Sequence, residues 1–452
     1  MTQRFSVGII GSGVAGAFAA HFLRATMGEH VSITVFEKEN RLGGRVWDVE
    51  FGGRRIEAGG ALIHSSNRYM GQAVDGLGLT RTTAVAARPS APLAGLWNGN
   101  SFDFVTRLGD RDGSDFFARR YGTDVAKLGS LVQGVLSRLL VVYERQRKGE
   151  AFDTPEGLCR GLGLYELTQQ DGYSLFRESG ISDRFALEMS DAISRGNYGQ
   201  ASYMNGFATI ISLVGGGFGG GHGYSVVEGN ARVCAGLLAR AHARLLMRTR
   251  VVRVAPKSGD VAREDGYVIV AEDGEAFEFD AVILATPLEQ ANLRFSDVPL
   301  HPGASYRRRY QTTHVTFVEG RLRADYFGLS ADSPPPDMVL TKERSDIPFS
   351  SISTQGTAAD GSRKIYKLFS RQPLMDGLLD TLFGERGETR RLTWQAYPLL
   401  NPTTDWPPFR LAPALYYVNA MESPVSTMET EAIGARNVVN LLIQDGIPGA
   451  RR

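Results

Sequence analysis

The chain has 452 residues, 42% of them hydrophobic, with 50 Lys and Arg against 49 Asp and Glu and a formal net charge of +1. That balance lacks the basic footprint of a nucleic-acid-binding protein, and two cysteines, Cys159 and Cys234, are too few for a disulfide framework or a metal cluster, so both read as small buried apolar residues. The length carries roughly two to four domains' worth of chain, no apolar run reaches the ~20 residues of a membrane span, and strand-like sequence begins at Phe5 with no secretory leader before it, so a soluble cytoplasmic protein is the expectation.

Residues 5–10 alternate and end in the apolar pair Ile9-Ile10, as a buried parallel strand does. Gly11-Ser12-Gly13-Val14-Ala15-Gly16 follows, then an amphipathic helix over 14–27 and a strand over 31–36 that ends at Glu37. Strand, glycine turn, helix, strand and an acid about twenty residues past the glycines form the complete dinucleotide fingerprint. Gly11 makes the tight turn, Gly13 lets the backbone reach a pyrophosphate, and Gly16 lets the helix pack on the strand. The helix start at Val14 and Ala15 offers free N–H groups to phosphates. Glu37, with Lys38 beside it, is placed to accept both ribose hydroxyls, which argues against a 2′-phosphate.

Arg41-Leu42-Gly43-Gly44-Arg45 follows directly, then Arg55-Ile56-Glu57-Ala58-Gly59-Gly60-Ala61 and His64. This order resembles the amine-oxidase and protoporphyrinogen-oxidase type of flavoprotein, and the resemblance implies FAD. Arg41 and Arg45 would then supply charge to the pyrophosphate, with Gly44, Gly59, Gly60 and Ala61 close to the cofactor. His64 reads either as a base or as an ordinary buried hydrogen-bonding residue.

Residues 87–94 read as a Pro- and Ala-rich loop, and 118–147 carry apolar residues at helical spacing. A helix over 183–194 leads to Asn197, Tyr198 and Gln200, which line a pocket or form a structural turn. The glycine-rich stretch 215–223 follows no clear strand into a helix, so it reads as a loop and not as a second nucleotide fingerprint. Electrons therefore come from the substrate and leave to O2, which favours an oxidase over a monooxygenase. Further along, 251–254 is a short strand whose Val252 backbone the resemblance places against adenine. A buried strand over 280–284 ends at Thr286-Pro287, and residues 332–336 form a proline loop. Lys367 holds a water near the flavin in the manner of many amine oxidases, or is structural. Trp394 and Tyr397 wall the substrate pocket or pack in the core. A strand over 415–420 leads through Glu422 and Ser426-Thr427-Met428 into a helix over 429–442, whose N-terminus favours negative charge on a reduced flavin. No Cys or His lies in that turn, so FAD is expected to be non-covalent. Residues 446–452 read as a tail.

Ile193-Ser194-Arg195-Gly196-Asn197-Tyr198-Gly199-Gln200, the run 227–238 from Val227-Glu228-Gly229-Asn230 to Leu237-Leu238, and Ser426-Thr427-Met428-Glu429-Thr430-Glu431-Ala432-Ile433 are similar to signatures of the prenylcysteine oxidase (prenylcysteine lyase) family. Lys367-Leu368-Phe369-Ser370 and Trp394-Gln395-Ala396-Tyr397-Pro398 echo further family segments. The resemblance covers nearly the whole chain. It departs from the pattern in having one glycine fewer after Glu228, and Ala420 and Thr427 in place of glycine and alanine.

The expected fold is α/β. A Rossmann-type FAD domain built from 1–80, 225–300 and 405–445 is interleaved with an α+β substrate domain over 81–224 and 301–404. The resemblance implies oxidation of the carbon beside the sulfur of an S-substituted cysteine, free or in a peptide, to thiol, aldehyde and hydrogen peroxide, with no metal. An FAD-dependent amine or amino-acid oxidase is the alternative enzyme, and a flavin-binding partner protein without turnover is the alternative outside catalysis.

Overall fold

A computed structural model describes residues 4–82, 93–107, 111–257, 266–361 and 363–446. The strand β1 (Phe5–Ile10), the helix α1 (Val14–Met27) and the strand β2 (Val31–Glu37) form at the positions the periodicity predicts. β1 pairs in parallel with β2 on one side and with Ala281–Leu284 on the other. Arg244–Met247 extends the sheet beyond β2, while Leu415–Tyr417 and Arg410–Ala412 extend it beyond Ala281–Leu284. One six-stranded sheet thus gathers chain from the start, middle and end of the sequence. α1 and the C-terminal helix Met428–Gln444 pack against each other, both almost wholly buried.

The second large sheet has seven strands and belongs to the other half of the chain. Its strand Tyr310–Gly320, next to one edge, pairs antiparallel with Lys364–Ser370 on one side and with the edge strand Thr389–Pro398 on the other, so Lys367 lies on one flank and Trp394 and Tyr397 on the other. A layer of helices covers the remaining side. Residues 118–147 do not form one helix: Arg111–Tyr121 ends at Gly122, whose φ of 55° breaks the helix, and Asp124–Leu140 and Val142–Arg147 follow. The stretch Asp124–Arg147 is long and apolar enough by composition to cross a membrane, which corrects the expectation from run length. Its apolar residues Leu128, Val132, Val135 and Leu136 nonetheless face the core, and Lys127, Gln133 and Arg138 point outward. The 206–218 run forms the buried helix Gly206–Gly215.

Three other boundaries differ from expectation. The helical segment from Asp183 does not stop at Ser194 but runs through a π turn, Ala186–Ser190, to Asp191–Tyr198, and Gly199 with φ 63° closes it. The C-terminal strand ends at Tyr417, because Val418–Glu422 turns as a 3₁₀ helix and aims Asn419 and Glu422 into buried polar partners. Leu93–Trp97 is a strand, so Ala94 is not in a loop. The rest of the predicted loop lies outside the described residues, as does the tail beyond Gly446.

Arg308 fastens the two halves. Its Nε donates to Glu289 Oε1 at 2.9 Å, and its Nη1 donates to the Asn419 carbonyl at 2.7 Å, while Nη2 serves Glu289 and the Tyr417 hydroxyl. Arg308→Met would leave Glu289 charged and unpaired inside the protein, an error that costs about 3–5 kcal/mol. Urea unfolding should register that loss, and Arg308→Lys should restore only part of it, since an ammonium cannot fork.

Candidate active site

The two halves enclose a cleft of about 960 Å³ that runs from Glu37 and Arg250 to Lys367, Tyr198 and Trp394. At its start, Gly13 precedes α1, and Val14 and Ala15 lie on the wall. Glu37 Oε2 accepts the Ser12 N–H at 3.1 Å and the Ser12 hydroxyl, and Oε1 accepts the Glu39 N–H at 2.9 Å. The serine inside the glycine turn therefore fixes the ribose-type acceptor. A carboxylate carries about four lone-pair positions, so one remains for a ligand hydroxyl. Lys38, Thr286, Thr249 and Val251 border this end. Val252 does not: a bulge between Val251 and Arg253 takes it out of register, and Val251 lines the cleft instead.

The glycines divide into two kinds. A Cβ on Gly16 would sit 1.9 Å from the Gly11 carbonyl, and one on Gly11 2.5 Å from that of Ala285. Both are required by the protein's own packing. A Cβ on Gly13 would meet no protein atom closer than 3.7 Å and would project into the cleft. Its absence leaves a cradle that only a ligand fills.

In the middle, Gly43, Gly44 and Arg45 face Ser426, Thr427 and Met428. Thr427 caps the C-terminal helix: its hydroxyl accepts the Thr430 N–H at 3.0 Å, and Thr430 Oγ1 accepts the Thr427 N–H at 2.8 Å. The helix thus starts rigidly at the cleft with its positive end inward. Arg41 is not free for phosphate on all sides: it stacks 4.2 Å over Trp47 and donates to the Gly44 carbonyl at 2.7 Å. Arg45 borders the cleft but forks onto Glu422 and donates to the Ala396 carbonyl at 2.8 Å. Glu422 itself is fully buried behind this wall, not in it. Burial would push its carboxyl up, but Arg45 holds it below the ordinary range.

Two residues the sequence did not mark as site residues stand in its place. Asn419 and Glu431 both line the cleft, and Asn419 Nδ2 donates to Glu431 Oε2 at 3.0 Å and also to Glu422. Asn419 Oδ1 and Glu431 Oε1 are buried with no partner in the protein. Burial and the adjacent Glu422 carboxylate raise the Glu431 carboxyl well above its ordinary range, against the pull of Arg45 and Arg308. A carboxyl oxygen and an amide oxygen, each buried without a partner, call for a polar ligand here. The sequence offers no signal for this, because Glu431 reads as a routine first-turn acid.

At the far end Gly59, Gly60, Ala61, Lys367, Trp394, Tyr397, Tyr198 and Asn197 come together. Tyr198 and Tyr397 meet edge to face at 4.9 Å, and Trp394 packs on Trp47 at 5.9 Å. Asn197 Nδ2 is spent on the Ser212 carbonyl at 3.0 Å. Lys367 is buried, and its Nζ donates to the Glu57 carbonyl oxygen at 3.0 Å. Burial lowers its pKa to about 8, an effect Glu57 partly opposes. The Glu57 carboxyl is itself pushed up to about 7 by burial, and its Oε2 has no partner.

Two predicted residues fall elsewhere. Gln200 is fully buried outside the cleft, where its amide donates to the Pro398 carbonyl and accepts the Leu400 N–H, both at 2.9 Å. It positions the segment that carries Tyr397 and touches no ligand space. His64 bonds Ser66 Oγ at 2.8 Å and the Gly220 carbonyl at 3.2 Å, away from the cleft, so it is a local structural link rather than a base.

A model of the prenylcysteine lyase family matches residues 117–447, and one of the NAD(P)-binding Rossmann-like domain matches residues 9–77. The chain belongs to the prenylcysteine lyase family. It is 32% identical to farnesylcysteine lyase of Arabidopsis thaliana, over 97% of this chain and 88% of that protein. It is 30% identical to human prenylcysteine oxidase 1, over 96% and 88%. Among solved structures, cyclohexylamine oxidase from Brevibacterium oxydans superposes with a TM-score of 0.65 over 97% of this chain and 98% of that one, at 16% identity. Putrescine oxidase bound to putrescine gives 0.62 over 97% and 99%, at 15% identity. These two show the fold.

The cradle at Gly13, the Glu37 acceptor, the rigid helix start at Thr427 and the unpartnered Asn419 and Glu431 atoms together fit FAD. Gly13→Val is expected to leave the apoprotein folded and abolish FAD binding, because its side chain intrudes only on ligand space. Gly16→Val is expected to prevent folding. Circular dichroism of the apoproteins, set beside flavin titration, separates the two. Glu431→Leu should weaken FAD binding by about tenfold, the worth of one hydrogen bond to a buried group, and Glu431→Gln should retain most of it.

Proposed function

We propose that this protein is an FAD-dependent oxidase of S-prenylated cysteine or a related cysteine thioether, releasing a thiol, an aldehyde and hydrogen peroxide. The observation that carries the reading is family membership over residues 117–447, joined to a cleft that continues without a break from the nucleotide end to an aromatic chamber. When bound, non-covalent FAD supplies the oxidant, accepting a hydride from the carbon beside sulfur and passing its electrons to O2. The balance is one thioether, one O2 and one water giving one thiol, one aldehyde and one hydrogen peroxide. The sulfur lone pair steadies the cation left on that carbon, so the chain needs no nucleophile of its own.

Its residues orient and exclude. Trp394, Tyr397 and Tyr198 form an aromatic wall at this end of the cleft. Gln200 holds the backbone at Pro398 and Leu400, and so the angle of Tyr397. Lys367 and Glu57 are the titratable groups at this end. Lys367 Nζ keeps N–H donors beyond the one given to Glu57, enough to hold a water for attack on the cation. Collapse of the resulting hemithioacetal needs only a proton on sulfur, which that water or the lysine ammonium supplies.

Anaerobic mixing with S-farnesyl cysteine tests the proposal. Rapid bleaching of the flavin, slowed by deuterium on the carbon next to sulfur, with free thiol formed, is the expected result. Reduction by simple amines with release of ammonia, thioethers being inert, would move the protein to the amine-oxidase reading that its fold relatives represent. Lys367 yields a second expectation. Its folded-state pKa lies below the unfolded value, so burying the charged form is a cost below pH 8 that disappears as pH rises through the ordinary lysine range. Lys367→Met should therefore raise stability at pH 7 by roughly 3 kcal/mol and remove the wild-type gain between about pH 8 and 10.5, while turnover falls at least about tenfold. Thermal melts across pH, read beside turnover, check both signs.

A further inference from the structure

A second cavity of about 110 Å³ adjoins the cleft. Leu62, Ile211, Gly215, Thr427 and Met428 border both spaces and form the partition between them. Leu62 is 42% exposed despite its place in this partition, and Ile211 is partly buried, so apolar surface is presented to ligand space on the threshold. Beyond it the wall is aliphatic, with Leu136, Leu139, Leu140, Val214, Met70 and Ile433.

Most of the polar groups bordering this chamber are engaged by the protein, the His64 ring by Ser66 and the Gly220 carbonyl among them. The Glu429 carboxylate accepts the Tyr69 N–H at 2.7 Å, the Met70 N–H at 2.9 Å and the Tyr143 hydroxyl at 2.6 Å. Asn67 Oδ1 accepts the His64 N–H at 2.6 Å, and Thr430 is committed to the helix cap. None of the buried side-chain atoms left without a partner belongs to a residue lining the chamber. The main cleft differs, since Asn419 and Glu431 lie open there. A chamber walled mainly by aliphatic side chains favours an apolar guest over water; a comparable cavity of ~150 Å³ holds one benzene ring. The space therefore matches a single branched five-carbon unit.

We infer that this chamber is the binding site for the distal isoprene unit of the substrate, and that Leu140 and Leu139, on its wall away from the shared partition, set the chain length accepted. The inference rests on the thioether reading of the cleft. Each methylene buried is worth about fourfold in binding, so filling the chamber favours a long chain over a short one by at least about tenfold.

The test uses the flavin-loaded protein and S-dimethylallyl, S-geranyl and S-farnesyl cysteine. Wild-type kcat/KM should rise with chain length. Leu140→Phe, which fills the chamber, should lower kcat/KM for the longest productive chain at least tenfold and change that for S-dimethylallyl cysteine less than twofold. Leu139→Ala, which enlarges the chamber, should move the preference toward the longer chain. A wild-type measurement needs no variant: in a series of saturated S-alkyl cysteines, inhibition should tighten with each carbon until the chamber is full and then level off. An unchanged chain-length ratio in both variants, or inhibition flat from the first carbons, overturns the inference while leaving the thioether reading intact. Failure of all three prenyl cysteines to reduce the wild-type flavin would instead sink the thioether reading itself.

Discussion

The ion pair between Arg45 and Glu422 joins the loop after β2, the turn before the last helix and the seven-stranded sheet. Arg45 comes from the loop after β2, and Glu422 from the 3₁₀ turn before the last helix. The same arginine donates to the carbonyl of Ala396, and the same carboxylate accepts the Tyr310 hydroxyl at 2.8 Å, both from the seven-stranded sheet. Glu422 has no solvent exposure. Removing two charges from water costs more than their attraction returns unless every lone pair and proton is used. Here Asn419, Tyr310 and the Ala396 carbonyl use them, so the pair is stable only when the three segments are assembled. The cleft exists because that assembly leaves a space between the segments.

The pair also decides the state of its neighbour. Arg45 holds the Glu422 carboxyl below its ordinary range, and burial together with the Glu422 charge raises that of Glu431. Two acids nine residues apart thus have opposite tasks. One fixes the frame, and the other turns an unpartnered oxygen toward the cleft. A reduced flavin carries negative charge, and a protonated acid and a helix N-terminus tolerate it where a second carboxylate would not.

The sheet around the nucleotide end was legible because its signals are local. β1, α1 and β2 lie where period and glycine spacing put them, and Glu37 is found beside the glycine turn. Tyr121-Gly122-Thr123 also held a readable stop, a glycine followed by a capping residue type, but the apolar period on both sides hid it. What was not legible is long-range pairing. Arg45 and Glu422 were each singled out as cofactor residues, yet they stand 377 positions apart and nothing local shows that they hold each other. Glu431 was missed for the same reason, since its setting is made by Arg45, Arg308 and Glu422 from three other segments.

The family signatures carry a related lesson. Gln200 secures the backbone at 398–400, and Asn205 donates to the Leu400 and Pro424 carbonyls at 3.1 and 3.0 Å. Asn230 donates to the Gly60 carbonyl at 2.7 Å, and its own N–H goes to Glu57 at the same distance. These amides are staples between distant loops, each satisfying carbonyls that the assembly buries. A signature built from them marks how the loops are held, not which atom is oxidised. Cyclohexylamine oxidase and putrescine oxidase share the overall fold at 15–16% identity, so the frame alone does not choose between nitrogen and sulfur. That choice belongs to surfaces the staples only orient: the aromatic wall of Trp394, Tyr397 and Tyr198, and the apolar threshold at Leu62 and Ile211. A thioether carries no charge to anchor, so its placement depends on apolar contact along its length, and the walls of this cleft beyond Lys367 provide contact of that kind.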